Sequence, residues 1–188
     1  GMKKLVAATG NAHKLSEIRE ILSGWEIVSQ RDAGFTGEVE ETGRTFLENA
    51  RLKARAVCAA TGLPALADDS GLCVDALGGA PGVYSARYSG GGDRENRMLL
   101  LKNLQGEEDR TAHFSCGIVV AFPDGTELTA EGETRGRILH EERGENGFGY
   151  DSLFWSDDLN KSFAEATAEE KNLVSHRGRA LKVLQEKL

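Results

Sequence analysis

The chain lacks the features that mark several protein classes. It has only three cysteines, Cys58, Cys73 and Cys116, an odd number with no CxxC pairing. Secreted disulfide frameworks use cysteines in even number, so reduced thiols in a cytosolic protein are the expectation. Each lies in an apolar run, where a buried free thiol is ordinary. No apolar run approaches the roughly 20 residues of a membrane span, and the start lacks the apolar core of a secretion signal. A cytoplasmic protein without membrane partners is therefore expected, and Gly1 ahead of Met2 reads as an expression remnant. Internal repeats and low-complexity linkers are also missing. So is any excess of positive charge: 23 Lys and Arg face 30 Asp and Glu, a net charge of −7. Non-specific nucleic-acid affinity comes from phosphate neutralisation, which argues against a nucleic-acid partner. A small anionic ligand stays open, because local cations or a divalent metal bridging to carboxylates would hold it.

What is present fits one globular domain. The chain has 188 residues, 39% of them hydrophobic, enough for a core and for two lobes sharing a cleft. Residues 5–9 read as a buried strand ending in a turn at Gly10. Leu15, Ile18, Ile21 and Leu22 then share a helix face before Gly24. Residues 25–29 read as a second strand, and 30–43 as a polar loop or short strands. Thr45 and Glu48 have capping-box spacing ahead of an alanine-rich helix to about Ala60, stopped by Gly62 and Pro64. Residues 64–68 form a strand that is expected to enter an acidic turn, Asp68 to Gly71. A glycine-rich loop (78–92), a helix (94–104) and a hairpin follow, the hairpin joining 112–122 to 127–133 through Pro123-Asp124-Gly125-Thr126. A second capping box, Thr167 to Glu170, and a helix from about Arg177 end the chain. Alternating strands and helices plus a hairpin imply an α/β fold with a mixed sheet.

Polar chemistry concentrates in five places. Thr9, Gly10, Asn11 and Lys14 lie between a strand and a helix, where backbone amides and the helix dipole favour phosphate. This is no Walker A loop, and a plain strand–helix turn explains it equally well. Lys53 follows Asn49 by one turn, with Glu38, Glu40 and Glu41 preceding that helix. A solvated lysine and favourable helix-start electrostatics account for these just as simply. Asp68 and Asp69 are harder to set aside. Adjacent carboxylates repel unless a cation or ordered donors hold them, and a hydrolase uses one on Mg²⁺ and another as base. Gly147-Phe148-Gly149-Tyr150-Asp151 sets two aromatics among glycines, which lets a flat ligand stack. Lys171, His176 and Arg177 flank a helix junction, where a purine edge or phosphate is one reading and a structural histidine the other.

Together these segments resemble the inosine triphosphate pyrophosphatase family, also called XTP/dITP diphosphatases. The matching stretches are TGNAHK (9–14), EETGRTFLENARLKA (40–54), ADDSGL (67–72), GGAPGVYSARYSG (78–90), GFGYD (147–151) and EEKNLVSHRG (169–178), in order along nearly the whole chain. Ser152, where many relatives have proline, and Ala166 depart from the pattern without touching expected chemistry. The resemblance implies a single domain of two α/β lobes around an elongated mixed sheet, with a nucleotide in a central cleft, and a homodimer. It implies hydrolysis of ITP, dITP and XTP to monophosphate and pyrophosphate, which cleanses the nucleotide pool. By carry-over, Thr9, Asn11, Lys14 and Lys53 hold the triphosphate, with Gly10 allowing close approach. Glu41 and Asp69, with Asp68 nearby, bind Mg²⁺; Asp69 is also the general base, and Ser70 touches substrate. Phe148 stacks on the base in the Gly149-Tyr150 loop, while Asp151, Lys171, His176 and Arg177 read its edge. His13 and Arg87 stay open between phosphate contact and surface position.

Overall fold

The computed structural model describes residues 3–188; Gly1 and Met2, and with them the expression-remnant reading, lie outside the described residues. Twelve regular elements are present among them. They run β1 (Lys4–Ala7), α1 (Ala12–Ile21), β2 (Glu26–Ser29), α2 (Phe46–Thr61), β3 (Ala65–Val74), α3 (Asp93–Asn103), β4 (Thr111–Ala121), β5 (Glu127–Ile138), β6 (Phe154–Ser156), β7 (Lys161–Ser162), α4 (Ala168–Val174) and α5 (His176–Lys187). The strands order as β2-β1-β3-β4-β5-β6-β7. β1 pairs in parallel with β2 and β3, and β6 pairs antiparallel with β5 and β7, so the sheet is mixed and the fold α/β.

The chain divides into two compact units. The first holds the residues up to Asp69, Cys116–Gly132 and Gly178–Leu188. Its strands alternate faces as pleating demands. Leu5, Ala7, Leu66, Ile118 and Val120 pack with Ile18 of α1 and Leu181 of α5. The intervening Val6, Ala65, Ala67 and Val119 pack with Ala50, Ala54 and Val57 of α2. Small alanines let α2 sit close to the strands; Thr45 Oγ1 accepts from Glu48 N at 3.1 Å to start it, and Gly62, left-handed at φ 70°, ends it. The second unit holds Ser70–Ser115 and Glu133–Arg177. Its core joins Leu72, Leu100, Phe114, Tyr150, Phe154 and Phe163.

Three expectations change. Asp68 to Gly71 is not a turn: β3 continues through it to Val74. Polar residues beside a glycine look turn-like locally, but the segment stays extended in a strand that lies between β1 and β4 in the sheet order. The glycine-rich loop carries a 3₁₀ segment, Gly82–Arg87, held where Ser85 Oγ accepts from Leu72 N at 2.9 Å. The second hairpin strand reaches Ile138 instead of Glu133, because it pairs with β6, which the sequence reading did not include. The tight turn itself is as expected, with Phe122 N donating to Thr126 O at 2.9 Å.

Candidate active site

In the first unit, the loop after β1 leads straight into α1. Asn11 is its N-cap: Oδ1 accepts from His13 N at 2.9 Å and Lys14 N at 3.1 Å, while Asn11 N donates to Thr9 Oγ1 at 3.1 Å. The turn explanation is thus realised, and the Asn11 carboxamide keeps its nitrogen as a donor. Beside this loop opens a cavity of about 560 Å³, lined by Thr9, Gly10, Asn11, Gln30, Arg31 and Phe35. His13 is exposed.

Capping aims Lys14 back along α1, where Nζ lies 3.4 Å from Asp68 Oδ1. Lys53 is no solvated helix charge. It sits on the half-buried face of α2, with Nζ donating to Asp68 O at 2.7 Å, 2.7 Å from Glu41 Oε1 and 3.9 Å from Asp69 Oδ1. Burial works against its charge, but Asp68, Asp69 and Glu41 outweigh that and hold its pKa above the ordinary lysine value. Glu41 is brought there by Asn49, a buried residue whose role the sequence did not reveal. Asn49 Oδ1 accepts from Gly43 N at 2.8 Å and ties the preceding segment to α2. Gly43 is required by close approach, since a Cβ there would lie 2.7 Å from Glu48 Cβ and 2.8 Å from Asn49 Oδ1.

The strand geometry explains how two adjacent carboxylates coexist. Successive residues of β3 point to opposite faces. Asp68 thus shares its face with Leu66, near Lys14 and Cys116, whose Sγ is 3.7 Å from Asp68 Oδ2. Asp69 shares the α2 face with Ala65 and Ala67. Asp69 is 7% exposed, and its Oδ2 is buried without a hydrogen-bond partner. Burial pushes its carboxyl up to about 6; Lys53 and Lys14 oppose that rise, while Glu41 and Asp68 add to it. Lys14 and Lys53 thus stand among three carboxylates, Glu41, Asp68 and Asp69. Among the described residues no three acidic, histidine or cysteine side chains yet converge as a closed metal cage.

The second unit gathers another set. Lys171, on α4 behind the expected Thr167–Glu170 capping box, is 4% exposed and pairs with Asp151 Oδ2 at 2.7 Å. Its Nζ lies 4.6 Å from the centre of the Phe148 ring. Arg177, only 1% exposed, donates from Nη2 to Ser70 Oγ at 2.8 Å and lies 6.0 Å from the same ring. His176 is buried and stacks on Phe114, with centroids 4.7 Å apart and planes 13° apart. The structural-histidine explanation therefore holds for its ring face. Ser70, Phe148, Asp151, Lys171 and Arg177 are linked by these contacts. Tyr150, expected beside Phe148, instead lies in the apolar core, its hydroxyl donating to Ser85 O at 2.7 Å. Gly149 is left-handed at φ 60°. Arg87 stacks over exposed Tyr84, 5.3 Å from the ring centre. Phe114 beneath His176 escaped the sequence reading because it lies far away in the chain.

A mixed-sheet α/β protein with lysines set among buried carboxylates, and with a cation-flanked aromatic loop, is the class that fold and site define. Known sequences narrow it. The Ham1 family model matches residues 5–187. The chain is 50% identical to the dITP/XTP pyrophosphatase of Streptomyces avermitilis, over 97% of this chain and 96% of that one. It is 52% identical to the dITP/XTP pyrophosphatase of Haemophilus influenzae, over 99% of both. The solved Ham1 protein of Staphylococcus aureus matches with a TM-score of 0.88 at 40% identity, covering 98% of this chain and 97% of that one. The chain belongs to the Ham1 family.

Proposed function

We propose that this protein hydrolyses non-standard purine nucleoside triphosphates, ITP, dITP and XTP, to the monophosphate and pyrophosphate. The observation that carries the reading is Asp69: a buried carboxylate with a partnerless oxygen, beside Lys53 and Glu41. A carboxylate oxygen free of hydrogen bonds is placed to take a proton from water, the role a general base fills. The relatives named dITP/XTP pyrophosphatase support the substrate class.

The residues fit a divalent cation. The donors are all carboxylate oxygens, the type Mg²⁺ selects, and Asp69 Oδ2 is buried without a hydrogen-bond partner. Glu41 and Asp69, with Asp68 beside them, would hold Mg²⁺, which when bound offsets charge on the phosphates and the departing pyrophosphate. Lys14 and Lys53 add fixed positive charge for the triphosphate, and Thr9 and the Asn11 nitrogen supply neutral donors. Asp69 accepts the proton of the water that attacks the α-phosphorus. In the second unit Phe148 offers its face to the base, while Lys171 and Arg177 crowd that ring with donors. Arg177 and His176 suit a 6-keto oxygen. An adenine amino group there would leave buried donors unpaired, which costs about 1–3 kcal/mol, or roughly 10- to 150-fold.

Pyrophosphate release with Mg²⁺ from ITP, XTP, dITP, ATP, GTP, dTTP and CTP tests the reading. Fast release from the first three is expected, with ATP at least about tenfold slower through the 6-keto contacts, and with GTP, which shares that oxygen, slowed by rejection of its 2-amino group. Turnover confined to pyrimidine triphosphates refutes the base assignment. The reading extends to a cytoplasmic homodimer. Three cysteines outside any disulfide suit a reducing compartment, and light scattering of the purified protein reports the dimer.

A further inference from the structure

Phe148 stands between Gly147 and Gly149, both left-handed, at φ 73° and 60°. A ring flanked by glycines samples many positions unless something fixes its backbone. Here the polar groups around it are tied down. Phe148 N donates to Asp151 Oδ2 at 3.1 Å, and Phe148 O accepts from Asp151 N at 3.1 Å. The next residue is gripped from α3: Gly149 N donates to Asp93 Oδ2 at 3.1 Å, and Gly149 O accepts from Arg97 Nη1 at 2.9 Å. Asp93 and Arg97 are four residues apart, so one helix face presents an acceptor and a donor to the same glycine. Arg97 is braced in turn, with Nε 2.6 Å from Glu142 Oε1, an oxygen that also accepts from Ser152 Oγ at 2.6 Å.

We infer that Asp93 and Arg97 are positioning residues that clamp Gly149 and so hold the Phe148 ring ready for a purine base. The inference rests on the stacking role proposed for Phe148. Neither residue belongs to the motifs that carried the sequence reading, and both act through the loop rather than on the substrate. A ring already in place needs no ordering when the nucleotide arrives, so the clamp works on affinity. The grip on the glycine's N–H and C=O is independent of the Gly149 side, where any side chain would be strained by the positive φ.

The test is a double-mutant cycle on kcat/KM for ITP, with Arg97→Met, Phe148→Ala and the double variant. Losing the base stack in Phe148→Ala is expected to lower kcat/KM by about 5- to 150-fold. Arg97→Met is expected to lower it by about 3- to 12-fold, as a rise in KM with kcat nearly unchanged. In the Phe148→Ala background Arg97→Met is expected to do nothing further, an outcome a merely structural role does not produce. Arg97→Lys, which keeps one donor, restores part of the loss. Asp93→Ala, at an exposed position, runs the same cycle if Arg97→Met folds poorly. Multiplicative losses in the double variant, or no loss from either clamp variant, overturn the clamp while leaving stacking intact. A Phe148→Ala protein with parental kcat/KM overturns the stacking role itself.

Discussion

Asp69→Asn separates catalysis from stability, because the structure demands opposite effects on the two. The folded protein holds the Asp69 carboxyl at about 6, against 3.8 for a free side chain, chiefly through burial. Between about pH 4 and 6 the folded state therefore binds more protons than the unfolded chain, so stability falls as pH rises through that window. Above it the buried charge carries its full penalty, roughly 3 kcal/mol for that gap in pKa. Asparagine has the same shape and no charge. The attraction of Lys53 at 3.9 Å is already contained in that gap, but the buried amide carries a desolvation cost of its own, which leaves a net gain of about 1–2 kcal/mol. For a chain of this size that raises Tm by roughly 2–8 °C. The assay is thermal unfolding in EDTA at pH 7.5 and again at pH 4.5, with ITP turnover measured in Mg²⁺. The variant is expected to melt higher at pH 7.5, with its advantage cut to about a third at pH 4.5, where the folded carboxyl is largely protonated and the unfolded one is still largely ionised. Turnover is expected to fall about 10²- to 10⁴-fold. Parental turnover refutes Asp69 as the base, and a lower Tm at pH 7.5 refutes the burial penalty.

Two further outcomes follow from other contacts. Lys171→Met removes the ammonium 2.7 Å from the buried Asp151 carboxylate and is expected to lower stability in urea by about 3–5 kcal/mol. Adding Asp151→Asn recovers much of this, since no buried charge then loses its cation; a double variant as unstable as the single one contradicts the pairing. Gly43→Ala drives a methyl group against Asn49 Oδ1 and Glu48 Cβ, loosening the segment that delivers Glu41 to Lys53. It is expected to cost about 1–3 kcal/mol and to raise the Mg²⁺ concentration for half-maximal activity; an unchanged Mg²⁺ response removes Glu41 from the metal site.

Much of the architecture was legible because it depends on neighbours in the chain. Thr45, Glu48 and Gly62 bound α2, and Thr167 with Glu170 starts α4, since capping joins residues three or four apart. The 123–126 turn and the apolar face of α1 are local in the same sense. The site residues were legible one at a time, each beside an ordinary alternative. Several alternatives were realised: Asn11 does cap a helix, and His176 does stack in a core.

What needed the tertiary structure was every choice between equivalent local contexts. Asp68 to Gly71 has the composition of a turn, yet it stays extended within β3, which sends the two carboxylates to opposite faces. Phe148 and Tyr150 share one glycine-rich loop. Yet Tyr150 faces a core assembled from Leu72, Phe114 and Phe163, while Phe148 meets Lys171 and Arg177. Lys53 looked solvated until Glu41, Asp68 and Asp69 closed around it. The sequence by itself determined the helices, the helix caps at Thr45, Gly62 and Thr167, and the family pattern, because hydrogen bonds within a turn of chain specify helix ends. Which charges are buried, and therefore which carboxylate can act as a base near neutral pH, depends on desolvation by residues remote in the chain, and only the folded structure decides that.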